Sequence, residues 1–412
     1  MRSIARGLPL FLLLLTAPAL AASRSAEPSL DPVFDKREEP RPRPDASPQF
    51  EPDPGVVSPE TELPAEAPEP IHRTADNERR RIIERLEPPE RRPYVVVRSR
   101  AWLASGSVTT RWNVQLPPAQ VTPPGLEVFI GETQDHKFSG LMTVNSAEIA
   151  PLSWLSLEFQ YGADKPTGSY TDGLWVHAPK ADILINTGNG ATWHNPDHEN
   201  DLVYGADESG YRDWIAATVY LRALDSKINS PESFDLRHTL DVGLGVERYR
   251  QNARRTNLAI TQNLMKFYSN QPVGPIPGYD STYDALWQGP HIALRDSISA
   301  RRGLSLEGVV IWSPFMQYRG QDYENLNAGP GGLQSQTPNI QDSAGGTAIH
   351  FDIGAAWTFS VFRLEAGYQR FYFYSRSGKR RFYNFDGTVT ERQLDFATTD
   401  LAGFYGGASL RF

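Results

Sequence analysis

From Ala101 to the last residue, apolar and polar positions alternate with a period of two. In "LRHTLDVGLGVERYR", Leu236, Leu240, Val242, Leu244 and Val246 share one parity, and Arg237, Thr239, Asp241 and Glu247 take the other. "IHFDIGAAWTFS" sets Phe351, Ile353, Ala355, Trp357 and Phe359 against His350, Asp352 and Thr358. "VFRLEAGYQRFYFY" sets Phe362, Leu364, Ala366 and Tyr368 against Arg363, Glu365 and Gln369. A period of two marks a strand with one apolar face. "RAWLASGSVTTRWNV", "LEVFIGETQDHKFSGLMTV", "WLSLEFQYG", "WIAATVYLRAL" and "LSLEGVVIWSPF" follow the same rule, and "LWQGPHIALRDS" follows it more weakly. The chain ends inside such a pattern. "LAGFYGGASLRF" sets Phe404, Ala408, Leu410 and Phe412 against Tyr405, Ser409 and Arg411.

The connections alternate in length. "EIAPLS", "SARRG" and "TFSVF" are short, whereas residues 162–210, 251–283 and 319–346 read as long loops rich in Gly, Asn, Asp and Pro. Short turns at one end and long loops at the other are the layout of an outer-membrane barrel. Hydrocarbon cannot satisfy an open sheet edge, so the sheet closes, with its apolar face outward and its charged face inside. The predicted fold is all-β: a closed antiparallel transmembrane β-barrel of about ten strands with long extracellular loops. The alternative is a secreted sandwich or small soluble barrel, in which the apolar parity would point inward.

Composition adds an address. "MRSIARGLPLFLLLLTAPALAAS" has early arginines, an apolar run and Ala19 and Ala21 at a cleavage site, so residues 1–21 read as a secretory signal peptide. Residues 22–93 are rich in Pro and charge and read as a disordered periplasmic arm, whose role is left open between reaching peptidoglycan, reaching a periplasmic partner and simply spacing the barrel, and residues 94–412 read as the barrel. The chain has no Cys, which excludes disulfides, thiol catalysis and a lipid-modified Cys. A net charge of −8 gives no reason to expect nucleic acid. The expected partners are outer-membrane lipid, lipopolysaccharide and the barrel assembly machinery, and the expected state is a monomer.

The segments "LDVGLGVERYRQ", "GPHIALRDS" with "LSLEGVVIWSPFMQYRGQDYENL", and "WHNPDHENDLVYGADESGYRDWIAATVYLRAL" resemble the omptin family of outer-membrane aspartic-type endoproteases. The resemblance spans about Tyr94 to Phe412 in layout, with local motif matches. It implies two acidic pairs facing each other across a groove at the barrel rim, an Asp-x-Asp before a Trp and an Asp-x-His. "TDGLW" places Asp172 at the first position, with Leu174 at the second, before Trp175. "GQDYEN" places Asp322 at the other acidic position, with Glu324 where the resemblance expects His. Asp172, Asp322 and Glu324 are therefore the catalytic candidates, set against a plainer reading as solvated loop-tip carboxylates. The resemblance also implies lipopolysaccharide binding by outward basic residues. Arg250 falls at a matching position, and Arg248 and Arg250 continue the outward parity of Val246. Lipopolysaccharide is the one bound lipid expected; no cofactor or metal is.

Two further features are weighed. "HNPDHEND" brings His194, Asp197, His198, Glu199 and Asp201 together, but its Asn and Pro residues mark a polar outer loop. His136 is an imidazole that could stand in for the missing one. The functional readings left open are a non-proteolytic surface protein for binding, adhesion or envelope structure, a divergent endopeptidase cleaving near basic residues, and a narrow channel. Phe412 is read as the assembly signal of the last strand.

Overall fold

The computed structural model describes residues 94–116, 121–122, 128–177, 183–186, 191–194, 202–228, 236–263, 272–300, 303–326 and 332–412. The signal peptide, the arm and Asp197, His198, Glu199 and Asp201 lie outside the described residues. His194 ends a short strand, Ala191–His194, which pairs with Ile183–Asn186.

Eleven long elements build the wall: β1 (Tyr94–Gln115), β2 (Phe129–Leu152), β3 (Leu155–Asp164), β4 (Thr167–His177), β5 (Leu202–Ile228), β6 (Leu236–Asn263), β7 (Asp280–Ala300), β8 (Leu304–Tyr323), β9 (Ile340–Phe359), β10 (Phe362–Tyr383) and β11 (Val389–Arg411). Each pairs antiparallel with its sequence neighbour. β3 and β4 are two lengths of one wall strand, because both pair with β2 on one side and β5 on the other. They part at Lys165 and Pro166, where proline has no N–H to give the ladder. The wall is thus a ring of ten strands, closed by β11 against β1 from Val96↔Arg411 to Asn113↔Gln393. Phe412 is not frayed. Its N–H donates to the Val95 carbonyl at 2.9 Å, and the Val95 N–H donates back at 3.1 Å.

The two faces divide by parity as the alternation predicts. Leu103, Leu141, Phe159, Val219, Leu244, Val246, Trp312, Phe315, Phe404 and Phe412 all project outward and exposed. Together they make an apolar band around the short-turn half of the barrel. A water-soluble surface rarely carries so large a contiguous apolar area, so the band is a surface for hydrocarbon.

The interior is filled in layers. Nearest the short turns lies a network of paired charges. Arg295 Nη2 donates to Glu148 at 2.9 Å, and its Nε donates to Asp241 at 3.0 Å. Arg100 Nε donates to Glu365 at 2.6 Å, and Arg363 Nη2 lies 2.5 Å from Glu307. These groups line a cavity of about 200 Å³. Above it, Trp102, Trp214, Trp287, Tyr249, Phe371 and Phe373 pack into an aromatic plug, with Trp214 and Phe371 ring centres 4.7 Å apart.

Two expectations change. First, most of the residues read as long loops are ladder: β4, the outer parts of β5 and β6, and the outer ends of β7, β8 and β9 all fall in those ranges. Above the apolar band the outward face turns polar while the inward face mixes polar and apolar residues, so the regular alternation fades although the backbone bonds continue. Second, "LWQGPHIALRDS" reads weakly because the ladder slips there. The pairing with β8 jumps from Gln288↔Gln317 to Ile292↔Trp312, past Pro290 and Pro314, as a bulge does.

Candidate functional site

The long-loop half of the barrel gathers charged side chains on its inward face. On β2, Glu132, Gln134 and His136 share the inward parity. Register places Glu132 beside Trp112 of β1 and Leu174 of β4, and Gln134 beside Asp172. Trp112 Nε1 donates to Glu132 Oε2 at 3.1 Å, and Gln134 Nε2 donates to Oε1 at 2.7 Å. Register sets Asp172 one residue pair along from Glu132 on the facing strand, near enough for the Glu132 charge to raise the Asp172 carboxyl. Gly131 makes room for this corner, because a Cβ there would stand 2.4 Å from the Trp175 ring.

Across the lumen, Asp322 is 2 % exposed and ion-paired with Arg255, which is itself fully buried. Arg255 lies over the Tyr170 ring at 4.7 Å, and its Nη1 reaches to 3.9 Å from Glu324. Asn339 holds the Glu324 backbone from both sides: its Oδ1 accepts from the Glu324 N–H at 3.0 Å, and its Nδ2 donates to the Glu324 carbonyl at 3.1 Å. Arg380, also fully buried, forks onto Asp342 with both bonds at 2.8 Å and donates to Gln134 Oε1 at 3.0 Å.

The three catalytic candidates therefore meet in one electrostatic cluster; Asp322 is no solvated loop-tip carboxylate, whereas Glu324 follows the end of β8 and is half-buried. Asp172 and Asp322 sit on strands, with Asp322 sealed from water. Burial first, then the Glu132 and Glu324 charges, push the Asp172 carboxyl well above the ordinary range. Burial likewise raises Glu132, with Arg380 pulling it down. Burial pushes Asp322 up to about 7, and the Arg255 guanidinium keeps it from rising further.

Leu174 does different work. It joins Leu116, Val128, Leu202 and Ile260 in a small apolar cap at the base of the outer connections. His136, weighed as a replacement imidazole, has its Nδ1 on another carboxylate. It is fully buried, its Nδ1 lies 3.2 Å from both Glu208 oxygens, and its ring stacks on Tyr283 at 4.4 Å. The sequence reading missed Glu132, Arg255 and Arg380. The polar parity Glu132-Gln134-His136 is visible in "GETQDH", but what it faces depends on register.

Arg248 and Arg250 do face outward, at the upper edge of the apolar band, and both carry acidic partners. Arg248 Nη2 donates to Asp213 at 2.6 Å, and Arg250 Nε donates to Asp284 at 2.9 Å. With Arg319 and Gln288 they line a shallow depression on the outer wall.

The raised carboxyls set a pH dependence. The folded rim holds protons that the unfolded chain would release, so rim stability falls as pH rises above about 4, by roughly 1.4 kcal/mol for each unit that a group's pKa is raised. Amide exchange at the outer ends of β2 and β4, corrected for its intrinsic pH dependence, should speed up between about pH 5 and 8. Glu132→Gln should remove most of that slope. An opening rate independent of pH in the native chain would contradict the raised pair.

Comparison with solved structures supports the architecture. The chain is similar to the outer-membrane protease OmpT of Escherichia coli, with 14 % identity over 79 % of this chain and 97 % of that one and a TM-score of 0.51. It is more distantly similar to a FadL homologue of Pseudomonas aeruginosa, with 9 % identity over 77 % and 90 % of the two chains and a TM-score of 0.26. No family model and no curated protein matches the chain.

Proposed function

We propose that the chain is an integral outer-membrane barrel that displays an acidic groove at the cell surface and binds cationic protein segments there without cleaving them. One observation carries this reading: the Asp322 carboxyl is held by Arg255, while the neighbouring imidazole, His136, is turned to Glu208. A water-activating Asp–imidazole pair is therefore not assembled at Asp322, although the carboxylates that attract a basic chain remain. The aromatic plug across the lumen speaks against a narrow channel.

The short turns and the arm are then on the periplasmic side, and the long connections face outward. Arg248 and Arg250 meet lipopolysaccharide phosphates at the outer leaflet, where a guanidinium fork suits a phosphate. The closing strand with Phe412 is the segment read by the assembly machinery.

The endopeptidase reading keeps one observation in its favour, the nearness of Glu132 to Asp172, which returns a second carboxyl to the side of the groove where Leu174 stands. The two readings part in one experiment. The refolded full chain, supplied with lipopolysaccharide, is incubated with a fluorogenic dibasic peptide. We expect binding and no turnover. Cleavage that disappears in Asp322→Asn would replace the receptor reading with the hydrolytic one.

A further inference from the structure

We propose that the lumen cavity below the aromatic plug is a binding site for a free α-amino acid, with Arg98 taking its carboxylate and Glu158 its ammonium. The site lies at the short-turn end of the barrel, apart from the outer groove, and does not depend on how that groove is used.

The cavity is a blind cup. Val361, in the turn between β9 and β10, and Arg411, at the end of β11, line its mouth, and Trp214 and Phe371 of the plug line its far end. A solute can enter from the short turns but cannot pass through. The volume of about 200 Å³ is below the roughly 300–1,000 Å³ of pockets for drug-sized ligands, so the occupant is small.

The charge of the wall selects the class. Six arginines and six carboxylates line the cavity. An ion entering this balanced wall would bring a charge that nothing offsets, which is costly away from bulk water. A zwitterion brings no net charge and offers each sign of the wall a partner.

Which residues would hold it follows from which are already engaged. Arg295 is bound to Glu148 and Asp241, Arg222 to Asp241, and Arg100 to Glu365 and Asp352. Tyr405 donates to the other Asp352 oxygen at 2.7 Å. Arg98 and Glu158 are held more loosely. Arg98 Nη1 lies 3.5 Å from Glu158 Oε1, and its Nε lies 3.4 Å from Glu365, yet that Nε has no hydrogen-bond acceptor among the described residues. Glu158 is only 5 % exposed, its Oε1 has no hydrogen-bond donor among those residues, and Arg295 Nη1 stops 3.7 Å from its Oε2. A buried carboxylate that accepts no hydrogen bond carries a desolvation cost, which a donor brought into the cavity would relieve. Gln369, equally buried on the same cavity wall, adds an Oε1 that also has no donor.

An α-amino acid carries its ammonium and its carboxylate on one carbon. That spacing suits a guanidinium and a carboxylate whose nearest atoms are 3.5 Å apart. The ligand carboxylate lies along the Arg98 guanidinium, the geometry in which arginine binds carboxylates best, while its ammonium donates to Glu158 Oε1. The ligand thus supplies two charge-assisted hydrogen bonds where the free pair has a long contact. No motif joins the two residues. They stand on β1 and β3 and meet across the lumen.

Equilibrium dialysis of the refolded full chain, in detergent micelles, against radiolabelled L-alanine tests this. Saturable binding of one molecule per chain is expected, with a Kd of about 1 mM or below. N-acetyl-L-alanine lacks the ammonium and L-alaninamide lacks the carboxylate, so each should compete at least about tenfold more weakly than unlabelled alanine. Arg98→Gln and Glu158→Gln should each weaken binding by about tenfold or more. Should either variant fail to fold, the two analogues still decide, because they need only the native chain. No saturable binding at up to about 10 mM alanine would overturn the site and leave the cavity to water. Competition by either analogue as strong as by alanine would overturn it as well, as would folded variants that both bind as the native chain does.

Discussion

Replacing Arg295 by alanine should cost the barrel about 3–5 kcal/mol, the usual loss when a buried charge is left without its partner. Its guanidinium donates to both oxygens of Glu148, at 3.0 and 2.9 Å, and to Asp241 at 3.0 Å, lies 3.7 Å from Glu158, and sits over the Tyr220 ring. Without it, three carboxylates from three strands face one another across a narrow lumen. Arg222 still serves Asp241 and Arg98 still lies 3.5 Å from Glu158, so Glu148 bears most of the loss. Lysine should recover only part, because one ammonium cannot fork onto Glu148 and reach Asp241 together. The measurement is the urea midpoint for unfolding from lipid vesicles. A loss under about 1 kcal/mol would mean that the network is hydrated and contributes little to holding the wall.

Leu244→Arg should have the second large effect, a loss of about 2–4 kcal/mol in a bilayer. Leu244 is 64 % exposed on the apolar band, so in an ordinary soluble protein an arginine there would be neutral or helpful. Thr239→Arg, on the opposite parity beside the lumen cavity, should cost less because that face is already polar and open to water. The pair of variants compares one face of β6 with the other. If Leu244→Arg is tolerated as well as Thr239→Arg, the apolar band does not meet hydrocarbon.

The architecture could be read from the sequence wherever the surroundings differ between the two faces of a strand. Leu244 and Glu247 sort themselves because one meets lipid and the other the lumen. Closure was legible because strands with one apolar outward face call for hydrocarbon, which cannot satisfy an open sheet edge. Legibility ended at the top of the apolar band. There Arg254 and Arg255 are both polar, so nothing in the alternation says that β6 continues, and its outer ladder was taken for loop. The candidate site failed for a related reason. Asp172, Asp322 and Glu324 could be located as positions in a pattern, but their chemistry depends on Glu132, Arg255 and Arg380, which reach them only through strand register. Arg255 illustrates the point. In "QNARRTN" it is indistinguishable from Arg254, yet Arg254 is exposed with Asp280 and Arg255 is buried against Asp322.

The length of the wall has a last consequence. β6 runs for 28 residues, whereas a tilted strand needs only about 9–11 to cross hydrocarbon. Arg255 stands nine positions beyond Val246, the last apolar outward residue of β6. At about 3.3 Å per residue and a tilt near 45°, that lifts the acidic groove roughly 20 Å clear of the lipid. The barrel is a chimney with its working part at the mouth. In the proposed orientation, a groove carried that high would stand among the sugars of the outer leaflet or above them, where polymers pass. On the proposed receptor reading, its quarry would be a chain long enough to be caught by its side chains in passing.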